Sequence, residues 1–316
     1  MIDFSVIVCT HNRAAILTDC VDSLLNQTID KSRFEIIIVD NNSTDGTKEI
    51  ATDFCKKHSN IKYMQEKTVG YSATRNCGWK NATGDIIAYI DDDEIAAPGW
   101  LESIEKAFQI EEKPDIIGGI YLIKYDVTPP GWFIESMGGT NKNRQKGILN
   151  QRKDCYLAGG NIAFKKEVLE KLNGFSDDFN MKNGFLMMGE DTDICQRAKN
   201  AEFQLFYDPD IKIYHRMNQN NYDIEIRKQK AVKIGMAARF VLGRLPFFSH
   251  YFKYSTYFSM ILADTLNSIF SKKITTKSII LKEKIAYRKG YFEMDQKLRT
   301  QESNHDRPRP NNFIRL

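Results

Sequence analysis

No two of the six cysteines (Cys9, Cys20, Cys55, Cys77, Cys155 and Cys195) form a CxxC pair or a metal-type spacing. That absence excludes a zinc knuckle and a disulfide framework, and the dispersed thiols read as reduced core residues of a cytosolic protein. The opening MIDFSVIVCTHNR lacks the basic flank and cleavage site of a signal peptide, so no secretory leader is expected there. In the aromatic-rich segment near the C-terminus the longest charge-free run, residues 254–263, falls far short of the ~20 apolar residues that span a bilayer. The first apolar segment is followed by CTHNR in place of GxGxxG, and no GxxxxGKS or GxxxxGKT occurs anywhere. A Rossmann dinucleotide site and a P-loop are therefore excluded. There is no internal repeat and no low-complexity segment.

The 316 residues, 42% hydrophobic and 27% charged, suit one large globular domain with an accessory piece. A net charge of +4 conceals an uneven distribution. Residues 227–299 hold 16 Lys and Arg against 4 Asp and Glu, a local net of +12 that leaves about −8 for the remainder. The body is acidic and the C-terminal quarter is basic.

One stretch of the acidic body stands apart: DIIAYIDDDE, residues 85–94. Residues 86–90 have the short apolar, β-branched pattern of a strand covered on both faces. Four carboxylates, from Asp91 to Glu94, follow at its C-terminal end, where open α/β sheets keep their ligand crevice. Adjacent like charges repel, so a cation is expected among them. A hard divalent ion shared between carboxylates and substrate phosphates fits that demand. Most acidic runs are solvated turns, but few of those directly terminate an apolar strand.

Taken in order, the apolar patterns predict strands at 4–10, 34–40, 61–64, 86–90 and 116–125. Two last short strands, 203–207 and 211–214, are expected around a turn at Asp208-Pro209-Asp210. Helices are expected at 14–26, after the cap-rich segment 41–46, within 70–78, from Pro98-Gly99-Trp100 onward, and from Gly189-Glu190-Asp191 onward. Alternation of this kind predicts an α/β fold with a mostly parallel, doubly wound sheet. Acidic residues in a first helical turn suit the helix dipole, so GEDTD alone marks no site. Residues 126–154 form a long Gly-, Pro- and Asn-rich stretch, functional or irregular. Its Trp132 and Phe133 suit a sugar or lipid site and a packing anchor equally well.

The ordered set VIVCTHNR, IIIVDNNSTDGT, GYSATRNCG, YIDDDE with PGWL, AGGNIAF, NGF, GEDTDICQRA and YDPDIKIYH resembles the family 2 glycosyltransferases of the GT-A fold. The resemblance spans residues 4 to about 216. It implies an inverting transfer of sugar from a nucleoside-diphosphate sugar, a UDP- or dTDP-sugar by preference, to a hydroxyl of a glycan or lipid-linked glycan. Carried over residue by residue, Asp93 would ligate Mn²⁺ or Mg²⁺ and Asp92 would contact the ribose. Asp40 would recognise the base, Thr10 and Arg75 would line the nucleotide pocket, and Asp191 would be the general base. His215 matches a further metal ligand of some members, and a satisfied core histidine is an equal reading. The expected catalytic domain is 1–220, with a donor half about 1–125 and an acceptor half about 126–220.

Beyond it, helical periodicity at 224–242, 249–271 and 276–298 predicts an accessory region over 221–298, followed by a flexible tail at 299–316. The aromatic middle segment beside Arg227, Lys228, Lys230, Lys233, Arg239 and Arg244 suits peripheral contact with anionic lipid at the inner face of the membrane through residues 227–299. It suits equally a helical appendage packed on the catalytic domain or in a homodimer. No nucleic-acid partner is expected, since no recognition motif accompanies the basic quarter. A nucleotidyltransferase would want a Gly-rich basic loop where HNRAA stands. A non-catalytic binding protein on this scaffold would be expected to have lost Asp93 or Asp191.

Overall fold

β-Branched runs alternate with amphipathic helices through the first hundred residues, and the computed structural model follows that rhythm. It describes residues 3–133, 144–150, 156–181, 186–241, 260, 261, 264 and 276–303. Two compact units divide the chain. The first comprises Met1–Asp126, Glu135–Leu186 and Glu190–Met217; the second comprises Val127–Ile134, Met187–Gly189 and Asn218–Leu316.

In the first unit, β1 (Phe4–Thr10), α1 (Ala14–Leu25), β2 (Phe34–Asp40), α2 (Thr47–Lys57), β3 (Ile61–Gln65), α3 (Tyr71–Lys80) and β4 (Ile86–Asp91) follow the expected order. The strands pair in parallel as β3-β2-β1-β4. Then come β5 (Glu94–Ala96), α4 (Trp100–Phe108), β6 (Ile116–Tyr125), β7 (Gly147–Ile148), β8 (Ile162–Lys165), α5 (Lys166–Leu172), α6 (Glu190–Asn200) and β9 (Leu205–Met217). Strand β8 is antiparallel to both β4 and β6, β6 and β9 run parallel, and β5 and β7 pair antiparallel with β9. The sheet is thus mixed, with a parallel half that carries the doubly wound pattern.

Strand periodicity sorts the core into two layers. Phe4, Val6 and Val8 of β1 with Ile36 and Ile38 of β2 face Leu17, Cys20, Val21, Leu24, Trp100 and Ile104. Ile7, Ile37, Val39, Ile87 and Tyr89 face the other way, onto Trp79, Val168, Phe175 and Ile194. Because every one of these strands is covered on both faces, they read as continuous apolar runs.

The last strands correct the sequence-based expectation. Residues 205–217 form one strand, not two parted by a turn. Asp208-Pro209-Asp210 makes a bulge instead: Gly118 pairs with Tyr207, and Ile120 already pairs with Lys212. A proline that cannot donate to the ladder is tolerated at such a bulge, and the Asp210 N–H donates to Asp208 Oδ1 at 2.9 Å. Gly119 makes room, since a Cβ there would collide with the Ile211 carbonyl. Buried Asn161 ties the region together by accepting from Trp100 Nε1 at 2.9 Å. It also donates to the carbonyls of Ile120 and Ile211 at 3.2 and 3.1 Å.

In the second unit, the short α7 (Gln219–Tyr222) precedes α8 (Ile224–Val241), and α9 (Thr276–Ser303) packs on α8. Their backbones touch at two glycines: a side chain at Gly235 would strike Tyr287, and one at Gly290 would strike Val232. Arg239 and Asp295 form a buried ion pair at 2.7 Å between the same helices. The segment expected as a middle helix, 249–271, lies almost entirely outside the described residues. So does Cys155; of the tail expected at 299–316, residues 299–303 belong to α9 and the rest lies outside the described residues. Among the described residues no helix is long and apolar enough to cross a membrane.

Candidate active site

The chain leaves β1 for β2 and β3 on one side and returns to β4 on the other. Such a reversal opens a crevice beyond the C-terminal ends of the two central strands, the general ligand position of open α/β sheets. Thr10 ends β1, Asp40 ends β2 and Asp91 ends β4, so three sequence-predicted positions share one edge. A tight turn at Asp92-Asp93 reverses the chain into β5, whose antiparallel register with β9 sets Glu94 opposite His215.

That register assembles a donor set. The His215 Nδ1 lies 3.7 Å from Asp93 Oδ1 and 3.7 Å from Glu94 Oε1. All three residues offer a ligand atom within 4.8 Å of one another. The Nδ1 is buried without a hydrogen-bond partner, an orphan that otherwise costs stability. Ligand atoms on an octahedral ion at ~2.1 Å stand roughly 3 Å apart, so a small contraction would close this set on a cation. One imidazole and two carboxylates suit Mn²⁺ well and Mg²⁺ acceptably, and the residues therefore fit a divalent metal. Glu94 was not singled out in the sequence; its place depends on the β5–β9 pairing, for which no local signal exists.

Electrostatics support the need for a cation. Burial, with Asp93 next to it, pushes Asp92 up to about 7, while Arg13 and the Thr10 hydroxyl pull it back. Burial raises Glu94 well above the carboxylate range, reinforced by Asp91 and Asp93. It raises Asp91 too, against the pull of Arg75, although 40% of that side chain still meets solvent. Carboxylates held against their own ionisation cluster at functional sites. Arg13, at the mouth, reaches to 3.8 Å from Asp93.

Behind the carboxylates lies Arg75 of α3, only 3% exposed. Its Nη1 donates to Glu190 Oε1 at 2.9 Å and its Nη2 to Asp91 Oδ1 at 3.1 Å. Burial opposes its charge, and the Glu190 and Asp91 carboxylates more than offset that. Glu190 begins α6, and burial raises its carboxyl against the attraction of Arg75. Asp191 follows, accepting from the Gly159 N–H at 3.1 Å and from the Thr192 N–H at 2.7 Å. Two glycines permit these approaches. A Cβ at Gly159 would stand 2.6 Å from Arg75 Nη2, and one at Gly160 would stand 2.5 Å from both Glu94 oxygens.

Asp40 is buried, with Oδ1 accepting from the Ser43 N–H at 2.8 Å and Oδ2 from the Tyr63 hydroxyl at 2.9 Å. Asn41 beside it ties its own loop to the one between β3 and α3: it donates to the carbonyls of Glu66 and Thr68 and accepts from the Gly70 N–H. Asn12 and Asn42 hold positive φ in this rim, a conformation asparagine tolerates. A separate depression of about 580 Å³, lined by Ala73, Asn76, Lys80 and Asn180 among others, contains none of the candidate catalytic groups.

Residues 5–172 match the family described as Glycosyl transferase family 2. The chain belongs to that family. Residues 152–220 also match a family described as the N-terminal domain of galactosyltransferase. Among relatives of this family 2 chain, glycosyltransferase AglE of Haloferax volcanii is 28% identical over 214 residues, 66% of this chain and 64% of that protein. A glucosyl-dolichyl phosphate glucuronosyltransferase of the same organism is 23% identical over 219 residues, 67% of this chain and 69% of its own length. An uncharacterized glycosyltransferase of Rickettsia felis reaches 42% identity over 133 residues, 42% of this chain but only 21% of that protein.

Among the solved structures that resemble this chain, two cover over nine-tenths of it. The mannosyltransferase PcManGT from Pyrobaculum calidifontis, in complex with GDP-Man and Mn²⁺, superimposes with a TM-score of 0.63 at 18% identity, over 92% of this chain and 86% of that one. TarS of S. aureus, residues 1–349 in complex with UDP, gives 0.53 at 18% identity, over 94% and 92%. The fold is that of the GT-A glycosyltransferases, with a helical C-terminal segment.

Proposed function

We propose that this glycosyltransferase moves a sugar from a nucleoside-diphosphate sugar to a hydroxyl of a glycan or lipid-linked glycan, with inversion at the anomeric carbon. The observation that carries the reading is the buried, unpartnered His215 Nδ1 facing Asp93 and Glu94. Those three residues would hold a divalent cation, Mn²⁺ or Mg²⁺, at the end of the crevice. Bound there, the cation would neutralise charge on the departing diphosphate. The neighbours in complex with GDP-Man and with UDP support a nucleotide-sugar donor; UDP- and dTDP-sugars are the first candidates here.

The chain's own groups divide the remaining work. Asp40 and Asn41 shape the rim where the base would lie, Thr10 and Asp92 face the nucleoside, and Arg13 offers a positive charge to the phosphates. Asp191 takes the proton of the acceptor hydroxyl as the acceptor oxygen bonds to the anomeric carbon. The bond from that carbon to the diphosphate oxygen breaks, and its electron pair leaves with the nucleoside diphosphate. A single base and a single displacement account for inversion.

The test is a panel of UDP-, dTDP- and GDP-sugars, with Mn²⁺ and with chelator, scored by nucleoside diphosphate release and by the anomeric configuration of the product. Asp191→Asn is expected to keep donor affinity while lowering turnover by ~10²–10⁴-fold, the usual loss on removing a general base. Weakened donor binding with near-normal turnover would make Asp191 part of the donor site instead.

A further inference from the structure

Arg75 and Glu190 are buried charges, 3% and 6% exposed, that pair with each other and that the proposed reaction leaves idle. We infer that Arg75 is a positioning residue, which through Glu190 and Gly159 holds the base Asp191 in register with the carboxylate turn that ends β4. The inference rests on the assignment of Asp191 as the general base.

Each contact in the chain is short. Arg75 Nη2 grips Asp91 Oδ1 at 3.1 Å, at the end of the strand that leads into Asp92 and Asp93. Its Nη1 grips Glu190 Oε1 at 2.9 Å, on the residue before Asp191. Gly159 closes the loop: its missing side chain lets the guanidinium in, and its N–H donates to Asp191 Oδ2. The planar fork of arginine can hold two carboxylates on separate elements at once, which the point charge of lysine cannot. The guanidinium also lies 6.0 Å from the Tyr89 ring centroid and 5.8 Å from that of Phe175, so it is fixed from the side.

Stability alone is a poor reason for this array. Buried ion pairs seldom outperform apolar residues of the same volume, because desolvation cancels much of the attraction. A strut between the carboxylate turn and the base helix gives the charges a purpose. Misplacing a catalytic group by about 1 Å can cost ~10²-fold in rate.

Asp191 is faced by Glu190 on its own helix, Arg75 of α3, Asp91 of β4 and Tyr121 of β6. Removing a cation near a carboxylate makes its proton harder to lose, and removing an anion makes it easier. The experiment uses the full chain, the most active nucleotide sugar of the panel and UDP as binding probe. Arg75→Gln and Arg75→Lys are expected to lower kcat by ~10–10²-fold with UDP affinity unchanged. The acid limb of kcat against pH is expected to move to higher pH in Arg75→Gln and to lower pH in Glu190→Gln. Opposite displacements are something that a merely structural pair would not produce. Should Arg75→Gln fail to fold, Glu190→Gln decides alone. Unmoved limbs with near-normal kcat overturn the inference, provided Asp191→Asn is inactive; an active Asp191→Asn removes the base assignment itself.

Discussion

Gly160 has no side chain because the two oxygens of Glu94 occupy that space. Gly160→Ala is therefore expected to push Glu94 out of the donor set while leaving the fold intact. Mn²⁺ affinity, measured by calorimetry, should fall ~10–100-fold, the usual consequence of disturbing the support of a metal ligand; unchanged affinity would mean that Glu94 does not bind the ion. The roles of Asp93, His215 and Asp191 came only with the resemblance that their motifs carry, since GEDTD alone marks no site and His215 reads equally as a core histidine. The structure brings Asp93 and His215 together. Glu94 was not legible as a ligand, although it stands in the same acidic run, since only the pairing of β5 with β9 aims it at His215. Arg75, expected from the resemblance to line the nucleotide pocket, is instead buried on Asp91 and on Glu190, 115 positions away, a pairing that no local pattern shows.

At the level of elements, apolar runs and cap-rich turns were enough to mark the four parallel strands and the helices between them. The pairing of β8 between β4 and β6 was not legible, because an antiparallel return four residues long leaves no periodic signal. Asp208-Pro209-Asp210 misled for a related reason: its residues favour a turn, and the neighbouring strand absorbs them as a bulge through Gly118 and Gly119. The opposite end of the sheet has its own polar tie. Glu35 of β2 accepts from the Ser5 hydroxyl at 2.6 Å and from the Thr83 N–H at 2.7 Å, and pairs with Lys62 at 2.6 Å. Burial works against its charge, but these partners outweigh burial and hold the carboxyl at about 2, against an ordinary value of 4.5. A carboxyl depressed on folding stabilises fully above its unfolded value, and that contribution fades as pH falls toward the folded one. Melting temperatures of the wild type and Glu35→Gln should thus differ most near neutrality and converge between pH 4.5 and 2. A gap that stays constant over that window would contradict the ionised tie.

For the whole molecule, charge divides the chain more sharply than composition does. The +12 carried by residues 227–299 is proposed to hold the protein at an anionic membrane face, since basic residues near such a surface contribute ~1 kcal/mol each. Phe247, Phe248, Phe252 and Phe258, which would add apolar contact, lie outside the described residues. Co-sedimentation with vesicles containing anionic lipid should occur at low salt and weaken at high salt; no binding at low salt would leave the segment as a helical appendage or dimer contact. The proposed chemistry turns on a cation that Asp93, Glu94 and His215 would hold. Calorimetric titration of UDP, dTDP and GDP into the wild type and Asp93→Ala, with Mn²⁺ and with chelator, tests it most directly. The wild type should bind one of these diphosphates in a metal-dependent manner, and Asp93→Ala should lose that binding; a variant that binds with undiminished metal dependence would contradict the account.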